Sequence, residues 1–131
     1  MINETRTYVI LGDPVALARA RFARGRFYDS QKEFKLIAGC NLRNQHDTDQ
    51  LFEGPLYIFV RFFMPRSKSK KKALIQWHHT KPDIDNLLKY LLDTCNTILF
   101  KDDACIASLN SIKIYDDKPR TEFTIHQLEK R

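Results

Sequence analysis

The sequence predicts an α+β fold: a small mixed or antiparallel sheet of four to five strands with two main helices. Three observations predict it. The run Leu56-Tyr57-Ile58-Phe59-Val60-Arg61-Phe62-Phe63 is apolar and of strand length. The stretch from 83 to 99 carries its apolar residues at helical spacing, and the last third of the chain alternates with a period of two. A chain of 131 residues is long enough to bury a core as a single domain spanning 1–131, without staples.

The elements follow in order. Thr7 to Leu11 reads as a strand, closed by Gly12 and Pro14. From Pro14 to Tyr28 there are four arginines (Arg19, Arg21, Arg24, Arg26) and no acid, and the segment reads as irregular or as a second short strand. Ser30 and Glu33 have capping-box spacing. With Phe34, Leu36, Ile37, Cys40 and Leu42 as an apolar face, they predict a helix near 30–43. A polar loop from Asn41 to Gly54 and the strand 56–63 follow, ended by Pro65.

The clearest helix spans about 83–99. Leu87, Leu88, Leu91, Leu92, Cys95, Ile98 and Leu99 fill one arc of roughly 140° at 100° per residue. Pro82 suits the start, where a missing N–H costs nothing. Ile112 and Ile114, then Thr121, Phe123 and Ile125, alternate with polar residues on either side of Asp116-Asp117-Lys118-Pro119. That spacing predicts an antiparallel hairpin.

Charge is unevenly placed. Arg66, Lys68, Lys70, Lys71, Lys72 and Lys81 lie in a connector of about 65–81 that has no acid. The remaining cations, 16 of 22, balance the 16 acids, so the net +6 belongs to that segment. A localised basic segment predicts a local anionic partner, and Arg19 and Arg21 can extend the basic surface. Trp77 is suited either to stack on an exposed base or to anchor the connector. His78 and His79 point to opposite sides of an extended chain, which argues against a shared zinc site. No apolar run approaches the roughly 18–20 residues of a membrane span, and the N-terminus lacks the layout of a signal peptide. Cys40, Cys95 and Cys105 have no metal-binding or disulfide spacing, so buried thiols in a reducing cytoplasm are expected.

Five of the eleven aspartates follow the connector: Asp83, Asp85, Asp93, Asp102 and Asp103. Short carboxylates in this number suit a hard cation such as Mg²⁺, which takes one or two carboxylates and several waters. Each residue also has an ordinary reading. Asp83 can complement the helix dipole, Asp85 and Lys89 can form an i,i+4 surface pair, and Asp102-Asp103 can be a solvated turn. A helix of about 17 residues is roughly 25 Å long. Asp102 or Asp103 therefore meets Asp83 only if the helix ends early or a neighbouring subunit's helix start receives them.

The run Lys81-Pro82-Asp83-Ile84-Asp85-Asn86-Leu87-Leu88-Lys89, then Asp93, Asn96 and Lys101-Asp102-Asp103, resembles the signature of the RusA family of Holliday-junction resolvases. Gly12-Asp13-Pro14 with Arg19 and Arg21 is similar to the family's N-terminal segment, and Lys113-Ile114-Tyr115 to its lysine-containing strand. Thr97 stands where a glycine is common, and Cys105 where a polar residue is usual. The resemblance implies a cytoplasmic bacterial or phage-encoded homodimer, nucleoid-associated in use. It would bind four-way and other branched DNA junctions and nick two strands with Mg²⁺ or Mn²⁺. By position, Asp83, Asp85 and Asp103 match the essential carboxylates, Lys89 matches the essential lysine, and Asp102 is a weaker metal ligand. A non-cleaving junction-binding protein and a flap or fork nuclease are the alternatives.

Overall fold

The computed structural model describes residues 5–66 and 76–129. In chain order the elements are β1 (Arg6–Leu11), β2 (Arg21–Ala23), β3 (Arg26–Tyr28), α1 (Lys32–His46), β4 (Leu56–Pro65), α2 (Ile84–Cys95), β5 (Ile106–Asp116) and β6 (Arg120–Gln127). The main sheet is mixed, in the order β1-β6-β4-β5, and β2 and β3 form a separate hairpin. Among the described residues no helix is long and apolar enough to cross a membrane.

Strand β4 organises the sheet because every residue on its core-facing side is apolar. Leu56, Ile58, Val60, Phe62 and Met64 point into the core. There they meet Leu42 of α1 and Leu87 and Leu91 of α2, with Tyr8, Phe123 and Ile125 from the neighbouring strands. The other face is half-buried; Arg61 there pairs with Glu122 at 3.0 Å, and Arg120 lies 3.8 Å from the centre of the Phe63 ring.

The C-terminal alternation does form two strands, but not a hairpin. β4 lies between them, parallel to β5 and antiparallel to β6. The most apolar strand takes the centre, where both of its edges are paired, and displaces the local hairpin. The short link must then pass over the end of β4. Arg120 ties it down, donating to Asp116, to the Lys118 carbonyl at 2.8 Å and to Glu122 at 2.8 Å. The Arg120 guanidinium holds the Asp116 carboxyl below the usual carboxylate range.

Helix α1 also departs from expectation. It starts after Gln31 with no side-chain cap, so the Ser30–Glu33 box does not form, and it runs on to His46. Gly39, Leu42 and His46 are its buried residues, while Phe34, Leu36, Ile37 and Cys40 face outward. Close approach decides the phase: a Cβ on Gly39 would sit 2.7 Å from Ile98 Cδ1. The small residue admits the neighbouring chain, and the large apolar side chains are left outside. His46 closes the far end, with Nδ1 2.7 Å from Tyr8 Oη and Nε2 donating to the Gln50 carbonyl at 2.6 Å. Of the cysteines expected to be buried, only Cys95 is; Cys105 is half-buried and Cys40 exposed. Burial pushes the Cys95 and Cys105 thiols up.

Helix α2 stops at Cys95, short of the expected 99. Thr97 takes φ 69°, and its N–H donates to the Phe100 carbonyl at 2.7 Å, so Ile98 and Leu99 lie in the turn that follows. A left-handed conformation is costly for a β-branched residue and free for glycine. Thr97→Gly is therefore expected to stabilise the protein by about 1 kcal/mol, a rise of roughly 3–5 °C in Tm. Thermal denaturation followed by circular dichroism checks this; an unchanged or lower Tm would contradict the strain.

Candidate active site

The chain entering α2 is moulded by the edge of β5. The Lys113 carbonyl accepts from the His78 N–H at 3.0 Å, and the Tyr115 N–H donates to the Gln76 carbonyl at 2.9 Å. The His78 and Tyr115 rings lie 4.9 Å apart. Trp77 bridges Ile114 through its backbone while its side chain stays 59% exposed. Lys113 then reaches across to the next loop, and Nζ donates to the Thr80 carbonyl at 2.8 Å and the Pro82 carbonyl at 2.6 Å. One cation thus clamps the residues just before Asp83.

Asp83 is the N-cap residue of α2, yet its side chain caps nothing. Its carboxylate turns outward, and Lys81 Nζ donates to its two oxygens at 3.0 and 3.1 Å. Burial of Leu87 and Leu91 fixes the phase of the helix, which puts Asp85 and Lys89 on the solvent side. Asp85 Oδ2 and Lys89 Nζ are 3.9 Å apart, with both side chains more than half exposed. Exposed pairs of this kind contribute little, about 0–1 kcal/mol. Neither carboxylate is committed to the fold. His79, Thr80, Lys81, Asp83, Ile84, Asp85 and Lys113 line an open hollow here. Two uncommitted carboxylates at a wet, lysine-rimmed surface fit a hard divalent cation that keeps several waters. Lys81, Lys89 and Lys113 are donors suited to phosphate oxygens.

The other predicted residues lie elsewhere. Asp102 and Asp103 precede β5, where the Asp102 carboxylate accepts from the Ala104 N–H at 3.1 Å and opens a single 3-10 turn, Asp103–Cys105. Lys113, near the opposite end of β5, marks the position of Asp83. Some eight strand residues separate the two ends, so Asp103 is roughly 20 Å or more from Asp83 within one chain. Asp93 is turned toward Lys35 of α1, at 3.5 Å. Among the described residues no three metal-ligating groups come together. Within one chain Asp83 and Asp85 stand together at the start of α2, while Asp93, Asp102 and Asp103 lie apart from them, because α2 and β5 carry the chain along and back between Asp83 and Asp103.

The basic residues divide too. Lys81 stands at the site, exposed. The Arg66 side chain is only 12% exposed and lies 3.5 Å from Asp117, beside the β5–β6 link. Lys68, Lys70, Lys71 and Lys72 fall outside the described residues. Arg19 and Arg21 are exposed at and before the β2–β3 hairpin. Lys113 was not among the expected site residues; its signal was a lone lysine between Ile112 and Ile114 in a strand.

Residues 12–126 match the family described as Endodeoxyribonuclease RusA. Over 137 aligned residues the chain is 30% identical to the uncharacterized protein YqaN of Bacillus subtilis strain 168, covering 92% of this chain and 95% of that one. It is also 36% identical over 75 residues to the crossover junction endodeoxyribonuclease rusA of Lactococcus phage r1t, covering 56% of each.

The clamp can be tested through the single tryptophan. Lys113→Met is expected to lower stability by about 1.5 kcal/mol, the loss of charge-assisted hydrogen bonds to two carbonyls. Urea unfolding followed by Trp77 emission measures it, and an unaltered midpoint would show that Lys113 does not hold the 80–82 loop.

Proposed function

Because the chain belongs to the RusA endodeoxyribonuclease family, we propose that it is a structure-selective endodeoxyribonuclease that resolves four-way DNA junctions by paired, metal-dependent nicks. Its role would be in DNA recombination and repair, in the cytoplasm of a bacterium or phage-infected cell. The phage r1t relative, a crossover junction endodeoxyribonuclease, supports the junction substrate. The observation that carries the reading is the pair Asp83 and Asp85, exposed at the start of α2 and spent on no fold-holding bond, in a hollow ringed by lysines.

Asp83 and Asp85 would hold Mg²⁺, or Mn²⁺ in its place, with Asp103 as a further ligand and Asp102 beside it. Bound there, the ion would supply an activated water and neutralise charge on the departing oxygen. Lys89, one turn from Asp85, stabilises the charge that builds on the phosphoryl oxygens. Lys81 holds Asp83 and gives way to phosphate or cation as the substrate arrives. Lys113 keeps the backbone of 80–82 fixed, so that the carboxylates do not have to be ordered during the reaction. Arg66, Lys68, Lys70, Lys71, Lys72 and Lys81, with Arg19 and Arg21, make the phosphate surface; Arg66 does so from the end of β4 while tied to Asp117.

A homodimer completes the reading. The separation of Asp83 from Asp103 in one chain supports a site in which Asp103 comes from a second copy. The outward apolar residues Phe34, Leu36 and Ile37 of α1, with Leu11 beside them, support a surface that such a copy would cover. Two-fold symmetry would then set one site against each of two equivalent junction strands.

Asp85→Asn is expected to reduce nicking of a synthetic four-way junction in Mg²⁺ by about 10²–10³-fold or more, with junction binding retained. Full cleavage by that variant, or wild-type cleavage unaffected by chelator, would remove the metal-ligand assignment. With about five phosphates neutralised, the log–log salt slope of binding is expected near −4 to −5. Replacing Lys68, Lys70, Lys71 and Lys72 with alanine should make it shallower by about 3.6, at about 0.9 per phosphate. An unchanged slope in a filter-binding titration would take the connector out of the interface.

A further inference from the structure

The β2–β3 hairpin is built unlike the rest of the chain. Among the described residues it pairs only with itself, in the register Arg21–Tyr28, Phe22–Phe27 and Ala23–Arg26. Its turn places Arg24 at φ 52° and Gly25 at φ 75°, the two-residue geometry that keeps strand twist. Directly paired residues share a face, so Phe22 and Phe27 stand together on one side. Their rings are 5.1 Å apart, and they are 64% and 74% exposed. Such an apolar pair placed in water needs an occupant. The same segment carries Arg19, Arg21, Arg24 and Arg26, with Arg21 and Arg26 on the hairpin's other face, and has no acid from Pro14 to Tyr28; none of the four is in an ion pair among the described residues.

The root of the hairpin is fixed at the candidate active site. The Leu17 N–H donates to the Asn86 carbonyl at 2.9 Å, one residue from Asp85. Gln31 clamps the same segment, its Oε1 accepting from the Ala18 N–H at 2.9 Å and its Nε2 donating to the Ala16 carbonyl at 2.8 Å. From Leu17 to Phe22 the chain spans at most about 17 Å. The aromatic pair is therefore tethered within about a duplex width of the carboxylates.

We propose that this hairpin is a base-stacking arm: Phe22 and Phe27 receive a base unstacked at the branch point of a DNA junction, while Arg19, Arg21, Arg24 and Arg26 hold the flanking phosphates. The charge selects the occupant. A second copy of this chain, net +6, would bring no complementary acid in excess, whereas DNA supplies anionic backbone and planar bases together. An intact duplex keeps its bases in the stack and a branch point loosens them, so the arm is a device for selecting branched DNA over linear duplex and for setting the nick at a fixed distance from the branch. The inference rests on the proposed junction-nuclease reading and adds residues distinct from its carboxylates.

The test uses the full-length protein in chelator with a four-way junction carrying 2-aminopurine at the branch. Wild type is expected to raise the 2-aminopurine emission on binding. Phe22→Ala/Phe27→Ala should abolish that rise and weaken junction binding about tenfold while leaving linear-duplex binding unchanged, since only stacking is lost. Phe22→Trp/Phe27→Trp should keep the rise. A rise undiminished in the alanine variant overturns the proposal. So does an alanine variant that sediments as a smaller species than wild type, which would assign the aromatic face to a second copy. Failure of wild type to bind the junction at all overturns the junction reading itself, and the two failures are told apart by the wild-type titration.

Discussion

Strand β4 bonds on both edges, parallel to β5 and antiparallel to β6, and the rest of the architecture depends on that pairing. A parallel neighbour cannot follow by a tight turn; the chain must leave one end of the sheet and return to the other. Here the return is made by α2. The start of α2 is consequently fixed beside the finishing end of β5, where Lys113 grips the Thr80 and Pro82 carbonyls. The same crossover sends Asp102 and Asp103 to the starting end of β5. One constraint both exposes the Asp83–Asp85 pair and removes the third carboxylate from it.

That separation gives the electrostatics their logic. Two carboxylates left uncapped and exposed repel each other, and the fold uses Lys81 and Lys89 to offset this at little cost. Such pairs are weak enough to be exchanged for a cation and a phosphate, which a buried pair would resist. The stable ion pairs lie elsewhere, around Arg120 and Asp116 at the β5–β6 link. Structural charge and exchangeable charge are thus kept at different places on the sheet.

Much of this was legible in the sequence. The strands at 7–11 and 56–63 and the start of α2 followed from period and composition, because burial in each is dictated by large apolar residues. The signature from Lys81 to Asp103 pointed to the candidate residues, of which Asp83 and Asp85 stand together and Asp103 apart. What failed were features set by neighbours distant in sequence. The phase of α1 is decided by Gly39 against Ile98, and no count of large apolar residues would find it. The local hairpin at 116–119 lost to a central strand some 60 residues earlier. Lys113 acts on backbone carbonyls rather than on a charged partner, so a search for paired charges passes over it. Thr97 ends α2 early by adopting a conformation its own propensity opposes.

The central claim is that the catalytic carboxylates come from two copies of the chain. Co-expression of Asp85→Asn with Asp103→Asn, followed by purification of the mixed dimer through two different tags, tests it most directly. In the mixed dimer one composite site would keep Asp83 and Asp85 from one copy and Asp103 from the other, and the second site would carry both substitutions. The account predicts that each variant alone fails to nick a four-way junction and that the mixed dimer nicks one of the two strands. A mixed dimer that binds the junction and nicks neither strand would contradict it.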